Sequence, residues 1–290
     1  MKELELEYRV FGTGKSTLII EVGIGGDFYN WISFINQIEK DFRVVIYHRA
    51  GYGKSAVSQK TRTTNNIATE LNQLVERLGI DEQFVLMGHS FGGLCAQHYA
   101  KMYPEKIKGL ILIDSTSFDY SKLYKQNIPV MNSLISIEKM VENNINTSKN
   151  SKENLEIKYN DLISEREMIL PSSDSRDFKD FISSPLLFET IANEFENWES
   201  SSRNIIELGK FPDIPLTVIA RDKKTSIKAF TKHGIPSEEA VLYEDVWRNL
   251  QINLSQMSSK GEMVIAEDSD HDIHIDRPDI ILQCLKRYIN

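Results

Sequence analysis

Two cysteines in 290 residues, Cys95 and Cys284, leave no scope for a disulfide framework. They fall in separate, helix-like stretches, which fits a reducing cytoplasm. Basic side chains are also outnumbered, and the net charge is -8. Nucleic acids and anionic membranes reward a basic surface, so neither is expected as a partner. No apolar run approaches the roughly 20 residues that span a bilayer. The opening "MKELELEYRV" alternates charge with apolar side chains and lacks the apolar stretch of a signal peptide. No internal repeat is present. What remains is ordinary globular composition, with 41% hydrophobic and 26% charged residues. Nothing in this profile encodes an oligomeric state.

The stretch "FGTGKSTLIIEVGIGG", Phe11 to Gly26, has the look of a nucleotide-binding loop. A phosphate cradle of that kind needs a glycine five positions before Gly14-Lys15, and that position is Arg9. The loop would also have to leave a strand and open a helix, so that backbone N–H groups face the anion. Here the glycines lie between alternating Leu4, Leu6, Tyr8, Val10 and the apolar run "TLIIEV", which predicts a hairpin turn between two strands. Nucleotide binding is therefore not expected.

The first 115 or so residues alternate apolar runs with amphipathic segments, the rhythm of βαβ units. "TLIIEV", "RVVIYH", "FVLMG" and "GLILID" read as strands. Trp31, Phe34, Ile35 and Ile38 predict a first helix, and Ile67, Leu71, Leu74 and Leu78, closed by Gly79, a second. Strands apolar on both faces predict an α/β fold with a mostly parallel central sheet covered by helices on both sides. Between Ser117 and Lys210 no buried strand is evident. Helical patches such as Leu187, Ile191, Phe195 and Trp198 recur there, and "VENNINTSKNSKEN" reads as loop-like. The α/β rhythm returns with "LTVIA", a long helix through Val246, Leu250, Leu254 and Met257, the strand "EMVIAE", and a closing helix from Pro278.

The strongest chemical signal is Gly88-His89-Ser90-Phe91-Gly92, set between a strand and a helix. Glycines two positions either side of the serine relieve the crowding of a sharp strand-to-helix turn. That turn raises the hydroxyl clear of the sheet at a helix N-terminus. The backbone N–H of Phe91 is then placed to meet a developing oxyanion.

In these features the chain resembles the α/β-hydrolase fold family over nearly its whole length. "YRVFGTGKSTLIIEVGIGG" resembles the family's opening strands and oxyanion loop. "HRAGYGKS" resembles its D-x-x-G-x-G-x-S segment, and "SDHDIHIDRPDII" its terminal histidine segment. The resemblance implies a core of residues 1–116 and 211–290 with a helical lid, 117–210, inserted between them. It also assigns the second oxyanion donor to Ile24, although Val22 stands where members commonly carry histidine.

Ser90 needs a base. Of six histidines, His271 follows the last strand and precedes Pro278, where the family places that base, with His274 as a neighbouring alternative. The acid is open between Asp222, two residues short of the usual position after "LTVIA", and Asp114, which ends "GLILID" as in some members. Asp114 is preferred. The cluster "EDSDHDIHID" has donor types suited to a cation, but loop carboxylates are usually solvated and no second ligand group is evident. No metal or organic cofactor is expected. The implied activity is that of a serine carboxylesterase for small or medium apolar esters. Alternatives are C–C or amide hydrolysis, acyl transfer, or a ligand receptor with a slow triad.

Overall fold

The computed structural model describes residues 4–289. Seven strands form one sheet: β1 (Tyr8–Phe11), β2 (Ser16–Glu21), β3 (Phe42–Tyr47), β4 (Phe84–His89), β5 (Ile107–Ile113), β6 (Leu216–Arg221) and β7 (Gly261–Ala266), in the order β1-β3-β2-β4-β5-β6-β7. Every pairing is parallel except β1 with β3. Alternation within each strand sorts the core into two layers. Leu18, Ile20, Val44, Ile46, Val85 and Met87 face one layer. Ile19, Val45, Tyr47, Phe84 and Leu86 face the other.

The expected hairpin between the first two strands does not form. β1 pairs with β3, in the register Tyr8↔Tyr47 to Phe11↔Val44, while both edges of β2 are taken by β3 and β4. The Gly12–Gly14 loop instead presses on the backbone ahead of β3. A Cβ at Gly12 would lie 2.1 Å from the Glu39 carbonyl oxygen, and one at Gly14 2.1 Å from that of Asp41. The glycines serve close approach, not a tight turn.

Helices fill the connections. After β2 come a 3-10 turn (Tyr29–Trp31) and, continuous with it, a short helix α1 (Ile32–Ile35), which ends before the Ile38 that the apolar spacing includes. α2 (Thr64–Arg77) begins at the Thr63 cap and ends before Gly79, as expected. α3 (Phe91–Met102) follows β4 directly.

Between β5 and β6 the chain is helical: α4 (Pro129–Ile135), α5 (Ile137–Ser148), α6 (Lys152–Lys158), α7 (Asn160–Ile169), α8 (Ser172–Ile182), α9 (Pro185–Glu196) and α10 (Trp198–Glu207). The polar stretch read as loop-like lies largely in α5 and α6. Ser136 and Ser151 cap those helices by accepting from the N–H groups of Lys139 and Asn154. Leu187, Phe188, Ile191 and Phe195 of α9 pack with Phe91 and Leu94 above the carboxyl ends of the strands.

The chain closes with α11 (Lys223–Lys232), α12 (Ser237–Ser255), α13 (Ile273–Asp276) and α14 (Pro278–Leu285). Among the described residues no helix is long and apolar enough to cross a membrane.

Candidate active site

Ser90 occupies the corner between β4 and α3 with φ 54° and ψ −124°, a conformation that costs a non-glycine residue on the order of 1–3 kcal/mol. Its neighbours make the corner possible. A Cβ on Gly92 would lie 2.2 Å from the Glu21 carbonyl oxygen, and one on Gly88 2.6 Å from that of Gly92. The end of β2, the corner and the first turn of α3 are thus in backbone contact. Backbone hydrogen bonds from Ser90 to Ile113 and from Thr116 to Ser90 tie the corner to the end of β5.

Asp114 follows β5, also at positive φ (39°), and is fully buried. Its Oδ2 lies 2.6 Å from Nδ1 of His271 and accepts from Arg221 at 2.9 Å. Its Oδ1 accepts from the indole N–H of Trp247 at 2.8 Å. Burial alone would raise this carboxyl's pKa. The Arg221 charge and the bonds from His271 and Trp247 outweigh burial and hold it well below the usual carboxylate range. Glu244 on α12 neutralises Arg221 in turn.

His271 sits in the loop after β7, and its ring borders the same cavity as Ser90. Among the described residues no hydrogen bond joins the Ser90 hydroxyl to the imidazole. Such bonds are often long before a substrate arrives.

The cavity that Ser90 and His271 share has a volume of about 360 Å³, and Tyr120, Trp198, Phe230 and Trp247 are among its walls. A second space, about 300 Å³, opens on the other side of Ser90 along Gly23–Asp27. Ile24 lines it. A Cβ on Gly23 would stand 3.3 Å from Cβ of Ser90, so this loop abuts the corner.

The family model for the α/β hydrolase fold matches residues 16–198, the span that carries β2 to β5, the Ser90 corner and most of the helical segment. The chain belongs to the α/β hydrolase fold family. An uncharacterised Bacillus subtilis protein, YqjL, is 22% identical over 93% of this α/β hydrolase and 82% of the relative. A 2-hydroxy-6-oxononadienedioate/2-hydroxy-6-oxononatrienedioate hydrolase of Paraburkholderia phymatum is 32% identical, over 38% of this chain and 40% of its own. A solved structure from a study of carboxylesterases of the thaumarchaeon Nitrososphaera gargenis shares the fold with a TM-score of 0.63 and 20% identity, covering 98% and 94% of the two chains. A thermophilic esterase from Thermogutta terrifontis does so at 0.62 and 20%, covering 98% and 93%.

Within this α/β hydrolase, the structure brings Asp114 to His271 and leaves Asp222 elsewhere. Asp222 caps α11, accepting from Lys224 N–H at 2.9 Å, and also accepts from Asp268 N–H at 3.2 Å. His274 is buried flat on Trp31, with ring centroids 3.9 Å apart and no hydrogen bond to either nitrogen. Burial pushes its pKa down to about 2.

His89 is closer to the site than its place inside the motif suggests. Its Nε2 lies 3.0 Å from the His271 carbonyl oxygen, and burial followed by the nearby His271 lowers its pKa to about 4. His89, Asp272 and His274 offer donor atoms within 4.8 Å of one another, a set that suits a small cation. Against this, Asp272 is solvated and Nε2 of His89 already faces a carbonyl.

Sequence reasoning missed Arg221 and Trp247. Arg221 directly follows the "LTVIA" run and could have been noted as a strand-end cation. Trp247 is hidden among the apolar positions of α12.

Proposed function

We propose that this α/β hydrolase is a serine carboxylesterase acting on small or medium apolar esters through an acyl-enzyme. The observation that carries the reading is the 2.6 Å contact of His271 with the buried Asp114, beside a strained Ser90 that shares its cavity. In this reading the Ser90 hydroxyl attacks the ester carbonyl while Nε2 of His271 takes its proton. Asp114 holds the proton on Nδ1 and stabilises the imidazolium that forms. The N–H groups of Ile24 and Phe91 receive the oxyanion, each worth on the order of 10²–10³ in rate. His271 then protonates the leaving alcohol and activates the water that releases the acid.

The aromatic walls of the 360 Å³ cavity favour an apolar acyl or alkyl group of limited size. Residues 117–210 serve as the lid over that cavity, on a core of 1–116 and 211–290. Both cysteines are free and buried, which suits a cytoplasmic setting.

A fluorophosphonate probe and a panel of p-nitrophenyl esters test the proposal. Labelling at Ser90, turnover of short esters and loss of both in Ser90→Ala are expected. Wild-type protein that resists labelling would end the serine-hydrolase reading. Labelling without turnover of any ester would redirect it towards another acyl substrate or a receptor.

A further inference from the structure

Arg49 is among the largest fully buried side chains, and it lies directly beneath the Val22–Gly26 loop. Its guanidinium spends its donors on carbonyls, on carboxylates and, at 3.3 Å, on the Tyr52 hydroxyl. It donates to the carbonyl oxygens of Val22 at 2.6 Å and Gly23 at 2.9 Å. It also reaches two carboxylates: Glu21 at 2.8 Å, and Glu194 of α9 through two bonds at 2.7 and 3.1 Å. Tyr52 completes the set, donating to Glu194 at 2.6 Å and accepting the Gly25 N–H at 2.9 Å. The guanidinium carbon stands 4.8 Å from the Tyr52 ring centroid and 5.4 Å from that of Phe91.

The consequence follows from peptide geometry. The Gly23 carbonyl and the Ile24 N–H belong to one trans peptide unit, so they point in opposite directions. A donor that fixes the carbonyl downward into the core fixes the N–H upward. The Gly26 N–H also donates to the Gly23 carbonyl at 3.1 Å, so Arg49 acts together with one backbone bond on that oxygen, and the glycines at 23, 25 and 26 add little side-chain packing to resist a peptide flip.

We infer that Arg49 is a positioning residue that sets the direction of the Ile24 N–H. Glu194 holds the guanidinium in that pose and so links the loop to α9 of the helical segment. The inference rests on the proposed role of Ile24 as an oxyanion donor. Lysine cannot replace the planar fork, because one ammonium cannot meet both carbonyls and the paired oxygens of Glu194 at these distances.

The test compares wild type, Arg49→Lys and Glu194→Gln by thermal unfolding, steady-state kinetics on p-nitrophenyl butyrate, and crystal structures. In Arg49→Lys that unfolds cooperatively, kcat is expected to fall on the order of 10²-fold while KM stays within about threefold, since a donor felt mainly in the transition state has been misdirected. Folded Arg49→Lys with kcat within twofold of wild type overturns the inference. If that variant does not fold, Glu194→Gln is judged on the same criterion, with a fall of at least about fivefold expected from the loosened clamp. The crystal structures separate this inference from the function. A rotated or displaced Gly23–Ile24 peptide in Arg49→Lys supports it even if no ester is turned over, and a peptide in its wild-type orientation overturns it. Wild-type protein that neither labels nor turns over defeats only the serine-hydrolase reading.

Discussion

His271 and Asp114 are 157 positions apart in the chain, and the ring Nδ1 of one lies 2.6 Å from the carboxylate Oδ2 of the other. Two loops deliver them, one after β5 and one after β7, and β6 with Arg221 runs between. The carboxylate is fully enclosed and carries four charge-assisted or polar bonds, the fourth from the Arg221 backbone N–H at 3.4 Å.

Asp114→Asn removes the charge that favours imidazolium and offers an amide where Nδ1–H needs an acceptor. On the proposed mechanism kcat falls on the order of 10³–10⁴-fold. Asp222→Asn, which touches the cap of α11 and the acceptor of the Asp268 N–H, is expected to keep turnover within about twofold and to lose less than about 1 kcal/mol of stability, since Asn caps as well as Asp. Steady-state kinetics of the two variants on one ester decide between them. Near-normal turnover in Asp114→Asn would refute its assignment as the acid.

Gly92→Ala tests the crowding at the corner. The new Cβ would sit 2.2 Å from the Glu21 carbonyl oxygen and 2.4 Å from that of Val22, both backbone atoms that cannot swing aside. α3 must shift, and Ser90 shifts with it. A loss of at least about 2 kcal/mol in urea unfolding is expected, together with most of the activity. A stable, active Gly92→Ala protein would show that the corner is looser than described.

Acid should unfold the protein earlier than an ordinary histidine content implies. Burial lowers the pKa of His89 and His98 to about 4 and of His274 to about 2, from an ordinary 6.5. Between pH 6.5 and 4 the unfolded chain binds protons that the native state refuses, so unfolding free energy rises with pH across that window. The stability associated with these neutral rings is complete above pH 6.5 and is lost on acidification. Asp114, held below its ordinary range, adds a further loss below about pH 4. Urea midpoints at pH 7, 6 and 5 should fall steadily. His274→Phe, which keeps a flat ring on Trp31, should make the decline shallower. Buried Glu21, Asp27 and Glu244, whose pKa values burial raises, oppose the trend equally in both proteins, so an unchanged slope in His274→Phe would contradict the neutral burial of that ring.

Phe230 on α11 and Tyr120 line the cavity shared by Ser90 and His271. Phe230→Ala enlarges that space and should move the preferred p-nitrophenyl ester to longer acyl chains, with kcat/KM for the new optimum changed by about 1–3 kcal/mol relative to acetate. An unchanged chain-length profile would place the acyl group elsewhere, the space beside Ile24 being the alternative.

Much of this architecture was legible because it is written locally. Apolar strands interleaved with amphipathic helices, the Gly79 stop after α2 and the glycines around Ser90 each announce their structure within a few residues. Pairings decided at long range were not. The apolar pattern of β1 shows that it is a strand, but whether it joins β2 or β3 depends on which edge of the sheet is free. The polar run Val141–Asn154 seemed unstructured because its helices face solvent and draw stability from serine caps and from α9. Ser90 and His271 stood out by motif and chain order. The contact of His271 with Asp114 needs two distant loops brought together in space, and Arg49, Arg221 and Trp247 look in the sequence like routine charged and apolar positions.

With the carboxylate supplied by the fifth strand, the turn after the sixth is released from proton chemistry on the proposed mechanism. α11 grows from that turn and contributes Ala229, Phe230 and His233 to the cavity wall. Insertions or exchanges there can reshape what the molecule accepts while Ser90 and the bonded His271–Asp114 pair stay untouched, so selectivity and reactivity are free to drift separately. A library confined to residues 223–233 is the natural starting point for redirecting this scaffold.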